Sequence, residues 1–268
     1  MASGVFASIL KLMQIQGVFK EELEKLIFEP KFLGIRKDIP VYWEKISQEL
    51  FKNKFPSIST QILEDIKGTY LPTNQMIYYD EVDHYYNIEL VNDEVTCKST
   101  NSMVITGANK NEEVIYEFSN KIQLGENQSA SYRKNFIKVN GTVIADNHQK
   151  GGVVELFEKK ETATAEYIST TYKLVLKGAE RYNIDKEEVK KYKIQDNPLV
   201  QYKAAKLTNK LKVDISYSEN LTIEFLKIGT LNTFVERQKE NNFVKLHYSG
   251  IIYPEQGYVI QINKKQIV

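Results

Sequence analysis

Cysteine is almost missing from this chain. Cys97 stands alone, so no disulfide can form within it, and the stapled scaffold of small secreted domains is excluded. A single thiol also leaves no Cys-x-x-Cys pair, and the three histidines, His84, His148 and His247, are too dispersed for the spacing of a structural zinc site. Arginine is confined to Arg36, Arg133, Arg181 and Arg237. Lysine does not reproduce the bidentate guanidinium fork, so each of these four positions carries weight in any search for an anion site. An excess of one charge is missing too. The net charge is +1 and the pI is near 7.7, which gives no overall field to draw the chain onto a polyanion and argues against a dedicated nucleic-acid binder.

Long apolar runs are also absent. The N-terminal cluster Val5, Phe6, Ile9, Leu10 and Leu12 is interrupted by Lys11 and falls short of the roughly 20 residues that cross a bilayer. No small-residue cleavage site follows it, so it does not read as a signal peptide. These traits together lead us to expect a cytoplasmic protein without a membrane span. The chain also lacks the glycine-rich phosphate loops, the Gly-x-Ser-x-Gly elbow and the His-Glu-x-x-His pair that announce common catalytic sites.

The residues that are present divide by period. From Val5 to Phe28 apolar side chains recur every three or four positions, the helical spacing. Pro30 and Gly34 then stop it. A second helix is expected from Asp38, with Pro40 in its first turn and Tyr42, Trp43, Ile46, Leu50 and Phe51 as its stripe. After Pro56, a short third helix runs from Ser57 or Ser59 to Gly68.

Beyond Pro72 the period becomes two. Leu211, Val213, Ile215 and Tyr217 alternate with Lys210, Lys212, Asp214 and Ser216, one buried face and one wet one. Asn92-Asp93 reads as a turn, and Asn140-Gly141 supplies the two positive-φ positions of a type I′ hairpin. Asp185–Lys193 fits either a strand or a short helix. With no convincing crossover helices, parallel folds are excluded. The expectation is therefore α+β: a helical segment of about three helices over residues 1–70, then an antiparallel, β-sandwich-like region over 71–268. That region would divide into two halves near residue 150.

Three constellations deserve chemical reading. Tyr132 and Arg133, Arg181 and Tyr182, and Arg237 set an arginine beside an aromatic or a loop. Were they to converge, they would clamp a phosphate or stack on a base. Asp80, Asp83 and His84 present oxygen and imidazole ligands of the kind that hold a divalent ion. Asp146, then Glu158 and Lys160 at the end of the next strand, resembles the core of the PD-(D/E)xK nucleases, with Ala145 where that family usually has proline. The resemblance implies two carboxylates holding Mg²⁺ and a lysine positioning the attacking water.

The leading expectation is a binding or sensor module rather than an enzyme, with no cofactor. Its β region would recognise a partner protein or small anionic ligand, and its amphipathic helices would dock to another protein or self-associate. A bacterial signalling or defence effector fits that description. The alternatives are the metal-dependent nuclease and a structural, oligomer-forming protein.

Overall fold

The computed structural model describes residues 38–70, 75–107, 109–124, 130–144 and 149–265. The chain forms two compact units that meet between Thr73 and Asn74. The helix expected over residues 5–28 lies outside the described residues, so the first unit shows two α-helices and not three. α1 spans Ile39–Lys54, with Pro40 at its start where a missing N–H costs nothing. α2 spans Ser59–Asp65 and runs on into a wide turn over Ile66–Tyr70. Lys67 reaches back to Glu44 at 2.9 Å. The α1 stripe of Tyr42, Ile46 and Leu50 remains exposed.

The second unit is almost wholly β. Its strands are β1 (Tyr78–Val91), β2 (Glu94–Thr106), β3 (Val114–Gln123), β4 (Ser131–Val139), β5 (Thr142–Val143), β6 (Gln149–Gly151), β7 (Val154–Ala163) and β8 (Tyr167–Leu176). They continue as β9 (Arg181–Lys193), β10 (Leu199–Lys203), β11 (Thr208–Tyr217), β12 (Leu221–Ile228), β13 (Val235–Glu240), β14 (Phe243–Tyr248) and β15 (Gly257–Lys264). Asp185–Lys193 is thus strand, not helix. An eight-stranded sheet runs β13-β14-β11-β1-β2-β9-β4-β5, beside a three-stranded sheet β10-β15-β12 and a four-stranded sheet β3-β8-β7-β6.

Two expectations are corrected here. β1 and β11 pair in parallel, Val82 beside Leu211 and Tyr86 beside Ile215. The long excursion between them is made of strands, so a parallel pair arises without a crossover helix. The chain also does not divide near residue 150, because strands from both sides of that point hydrogen-bond together in the large sheet and in the four-stranded one.

The large sheet is the base of the fold. Its outer face carries opposed charges directly across the ladder, Glu81 with Lys210, Asp83 with Lys212 and Asp214 with Lys245. Its inner face carries an apolar core, with Val82, Ile88, Ile105, Leu211, Val213 and Ile215 fully buried, around a polar patch that includes His84, Asn101 and Glu188. Ring contacts show what covers that face. Tyr79 meets Tyr116 and Tyr132 meets Tyr172 of the four-stranded sheet, while His84 and Tyr86 meet Tyr258 of the three-stranded one. The two smaller sheets therefore share the layer opposite the large sheet. Both tight turns read from the sequence are present, with φ of 48° and 68° at Asn92 and Asp93, and 49° and 82° at Asn140 and Gly141.

Candidate functional site

Between the large sheet and the two smaller ones lies a cavity of about 860 Å³. Its floor is set by strand register. Three strands, β1, β2 and β9, place side chains in rows: His84, Asn101 and Lys186; then Tyr86, Ser99 and Glu188; then Ile88, Cys97 and Lys190. Alternation sends each of these residues inward, so one charged strand segment, Lys186-x-Glu188-x-Lys190-x-Tyr192, falls on the buried face. β3 contributes Tyr116, Phe118 and Asn120 to the wall, and β10 contributes Tyr202. Exposed residues at the rim include Lys121, Glu166 and Lys203.

The charged floor has a defined internal order. One oxygen of the Glu188 carboxylate accepts from Asn120 Nδ2 at 2.7 Å, Tyr132 Oη at 3.1 Å and Lys186 Nζ at 3.3 Å. Glu188 is 2% exposed, and three donors on one buried carboxylate offset the cost of removing it from water. Lys186 Nζ also sits 4.0 Å above the Phe118 ring. Lys186 and Glu188 thereby neutralise each other, which leaves Lys190 as the surplus cation. Among the described residues Lys190 has no ion-pair partner of its own, and burial pulls its ammonium below the usual lysine range, partly opposed by Glu188.

Burial governs the protonation of the remaining polar groups. Burial, reinforced by Lys186, holds His84 down to about 3, so its imidazole is neutral, and its Nδ1 is 2.5 Å from Tyr258 Oη. Burial pushes the Cys97 thiol up to about 12, away from nucleophilic thiolate. Two lining residues hold a buried side-chain oxygen without a hydrogen-bond partner among the described residues, Asn101 at Oδ1 and Tyr192 at Oη, while the Tyr202 hydroxyl lies beside Thr208. An unmade hydrogen bond in a buried place costs about 1–3 kcal/mol.

The residues singled out from sequence land as follows. Tyr132 joins the network on Glu188. Tyr182 is fully buried, and its hydroxyl accepts from the Ala179 amide at 3.1 Å. Arg133 is exposed on β4, opposite Val189, while Arg181 begins β9, opposite Thr106. That separates the two by about 26 Å along the strand. Arg237 lies on β13, the far edge strand, about 29 Å from β4 measured across the sheet. These arginines do not share a pocket.

Asp80 bonds Asn209 at 2.9 Å and pairs with Arg181 at 3.6 Å, Asp83 faces Lys212 on the outer face, and His84 points inward. Among the described residues no group of three His, Cys, Asp or Glu side chains is placed to hold a metal ion. Asp146 lies outside the described residues. Glu158 and Lys160 are exposed on β7, with Glu158 turned toward Lys173 at 3.7 Å.

No protein-family model matches the chain, and no curated protein sequence does. Solved structures resemble it in part. A putative protease from Parabacteroides distasonis is 11% identical with a TM-score of 0.39, over 70% of this chain and 40% of that one. An M1 zinc metallopeptidase from Deinococcus radiodurans is 8% identical with a TM-score of 0.34, over 70% and 42%. Yeast LTA4 hydrolase in complex with bestatin is 8% identical with a TM-score of 0.38, over 70% and 29%. The chain spans less than half the length of each, and TM-scores this low do not place it in their families.

Sequence reading missed Lys186, Glu188, Lys190, Asn101, Asn120, Tyr192 and Tyr202. A signal was present for the first three. They keep the phase of Tyr182, Ile184 and Tyr192 on β9, so charges occupy positions where alternation demands a core residue.

Proposed function

We propose that the β unit is a ligand-binding module rather than a catalyst, and that its cavity takes a small anionic molecule. The observation that carries this reading is Lys190, a half-buried lysine with no ion pair among the described residues, beside a void that a drug-sized ligand would fill. Its neighbours Lys186 and Glu188 are already paired, so an incoming anion meets one uncompensated charge. Burial makes that charge costly when the cavity is empty, and an anionic guest relieves the cost. The helical unit, with Tyr42, Ile46 and Leu50 exposed along one stripe of α1, supplies a surface for docking to another protein or to a second copy.

The test is thermal unfolding of the full chain with and without millimolar inorganic phosphate, beside Lys190→Met. The wild type is expected to melt higher with phosphate, as mass action requires of any ligand that binds only the folded state, and Lys190→Met to show no such rise. An equal rise in both proteins, or none in either, would remove the cavity from the proposal.

A further inference from the structure

Resting on the reading that the cavity takes an anion, we infer that its guest is a short peptide in extended form. It enters as an added strand between β3 and β10 and sets an acidic side chain on Lys190. The cavity is bordered by strand edges and not only by strand faces. Residues 116–121 of β3 and the whole of β10, Leu199–Lys203, line it without a break, although alternate residues of a strand point to opposite faces. A continuous run of this kind means that the rim of each strand borders the void. β3 pairs only with β8, and β10 only with β15.

The phase of the ladders shows which backbone groups are open. Leu124 N donates to the Glu166 carbonyl at 2.7 Å, and Ala204 N donates to the Gln256 carbonyl at 2.8 Å. These bonds continue the β3–β8 and β10–β15 registers, which carry no bulge. Residues of an antiparallel strand bond alternately to one side and the other, so the even-numbered residues of both strands serve β8 and β15. The amides and carbonyls of Glu117, Ser119 and Lys121, and of Leu199, Gln201 and Lys203, therefore turn to the void. No backbone partner engages them among the described residues. Three other edges are blunted, as exposed edges usually are. β13 is charged and has a register shift, while β5 and β6 run for two and three residues. β3 and β10 contain neither bulge nor proline.

The width admits one strand. In the row His84, Asn101 and Lys186 across β1, β2 and β9, the Tyr202 ring of β10 meets His84 with centroids 4.5 Å apart, and the Phe118 ring of β3 covers Lys186 Nζ at 4.0 Å. The two free edges thus stand over strands two ladder steps apart, about 10 Å. One added strand at the usual spacing reaches both. Every second side chain of that strand faces the floor. A residue above the Lys186 row is followed two and four positions later by residues above Glu188 and Lys190. Lys186 and Glu188 are paired with each other, so the third position is where a carboxylate is matched. The main-chain ladder supplies affinity and the alternate positions supply selectivity, as when other sheet edges take a peptide.

Calorimetric titration of the full chain with the blocked heptapeptide acetyl-TVTSTET-amide, its reversed sequence and inorganic phosphate tests this. One of the two peptides is expected to bind and so to report the strand direction, and either order sustains the inference. Glutamine in place of the peptide's glutamate should weaken binding about tenfold on the wild type and make no difference on Lys190→Met. N-methylation of alternate peptide amides keeps every side chain and removes the donors to one edge, and it should weaken binding at least about tenfold. Ser119→Pro removes an amide that faces the void and not β8, the one side of an edge strand that accepts proline. It is expected to lose the peptide and keep phosphate. The methylated peptide needs no change to the protein, so it decides the matter even where Ser119→Pro does not fold. Phosphate binding without peptide binding, or a methylated peptide that binds as well as its parent, would overturn strand addition and leave the anion site standing. Binding of neither peptide nor phosphate, with melting curves showing folded protein, would sink the anion site along with it.

Discussion

At the scale of single residues, His84 holds the clearest measurable consequence. It is buried, its Nδ1 meets Tyr258, and Lys186 stands near, so the folded state keeps it neutral down to about 3. The unfolded chain accepts a proton at the ordinary value of 6.5. As pH falls below that value the unfolded state gains a proton that the folded state refuses, and stability declines until the folded pKa is reached. Between pH 6.5 and 4.5 this amounts to about 2–3 kcal/mol. Urea unfolding at both pH values, compared between wild type and His84→Gln, should show that loss in the wild type and a shallower one in the variant. Parallel slopes would mean that imidazole burial does not govern acid sensitivity.

Residue-level legibility was uneven. Tyr132 was singled out from sequence for its neighbour Arg133, yet its hydroxyl serves the Glu188 carboxylate and Arg133 faces away on an exposed position. Adjacent residues in a strand point to opposite faces, so pairing an arginine with the aromatic next to it in sequence separates them in space. The same rule divides Asp83 from His84. Glu188 and its partner Asn120 are 68 positions apart, and nothing local to either names the other.

At the scale of elements, turns and alternation were the most readable features. Asn92-Asp93 and Asn140-Gly141 adopt the positive φ values that their side chains suggest, and β11 buries Leu211, Val213 and Ile215 as its period requires. The strand β9 was ambiguous because a Lys- and Glu-rich segment suits a helix by propensity. The large sheet decides otherwise by hydrogen-bonding it on both sides.

The element with the most exposed vulnerability is the pairing of β10 with β15. A Cβ on Gly257 would meet the Tyr202 carbonyl oxygen at 2.0 Å, and backbone on backbone cannot yield as a flexible side chain can. Gly257→Ala should therefore destabilise the protein by about 1–3 kcal/mol and push β10 off its neighbour. Chemical denaturation gives the first quantity. A ligand affinity reduced in step with it would report the displacement of Tyr202, whereas an unchanged melting midpoint would show that the strands separate freely.

At the scale of the whole molecule, the β unit has the means to fold alone. Apart from Leu63, every buried apolar residue among those described lies at Tyr79 or beyond, and all of these except Val175 form one continuous cluster. A chain of residues 74–268 is expected to unfold in one cooperative transition and to bind phosphate as the full chain does. If α1 is a docking face, light scattering should find the full chain heavier than its formula mass and this shorter chain monomeric. A non-cooperative melt of residues 74–268 would show that the helical unit is needed for folding. In the sequence, the change of period near Pro72 sets the expected boundary at residues 70–71. Strand order did not appear there, because facing residues of β1 and β11 such as Asp80 and Asn209 lie 129 positions apart, and local pattern carries no record of so distant a pairing.

That wide embrace bears on how the protein is made. A ribosome delivers β1, β2 and β9 well before β15, yet Tyr202 is held in place only when β15 pairs with β10 along Leu199–Lys203. Until those last strands emerge, the floor is covered only from the four-stranded sheet, where Phe118 and Asn120 meet Lys186 and Glu188. The cavity is thus completed late in synthesis, and termination between Lys203 and Gly257 would yield a chain with its floor and one wall but without the pairing that holds Tyr202 in place.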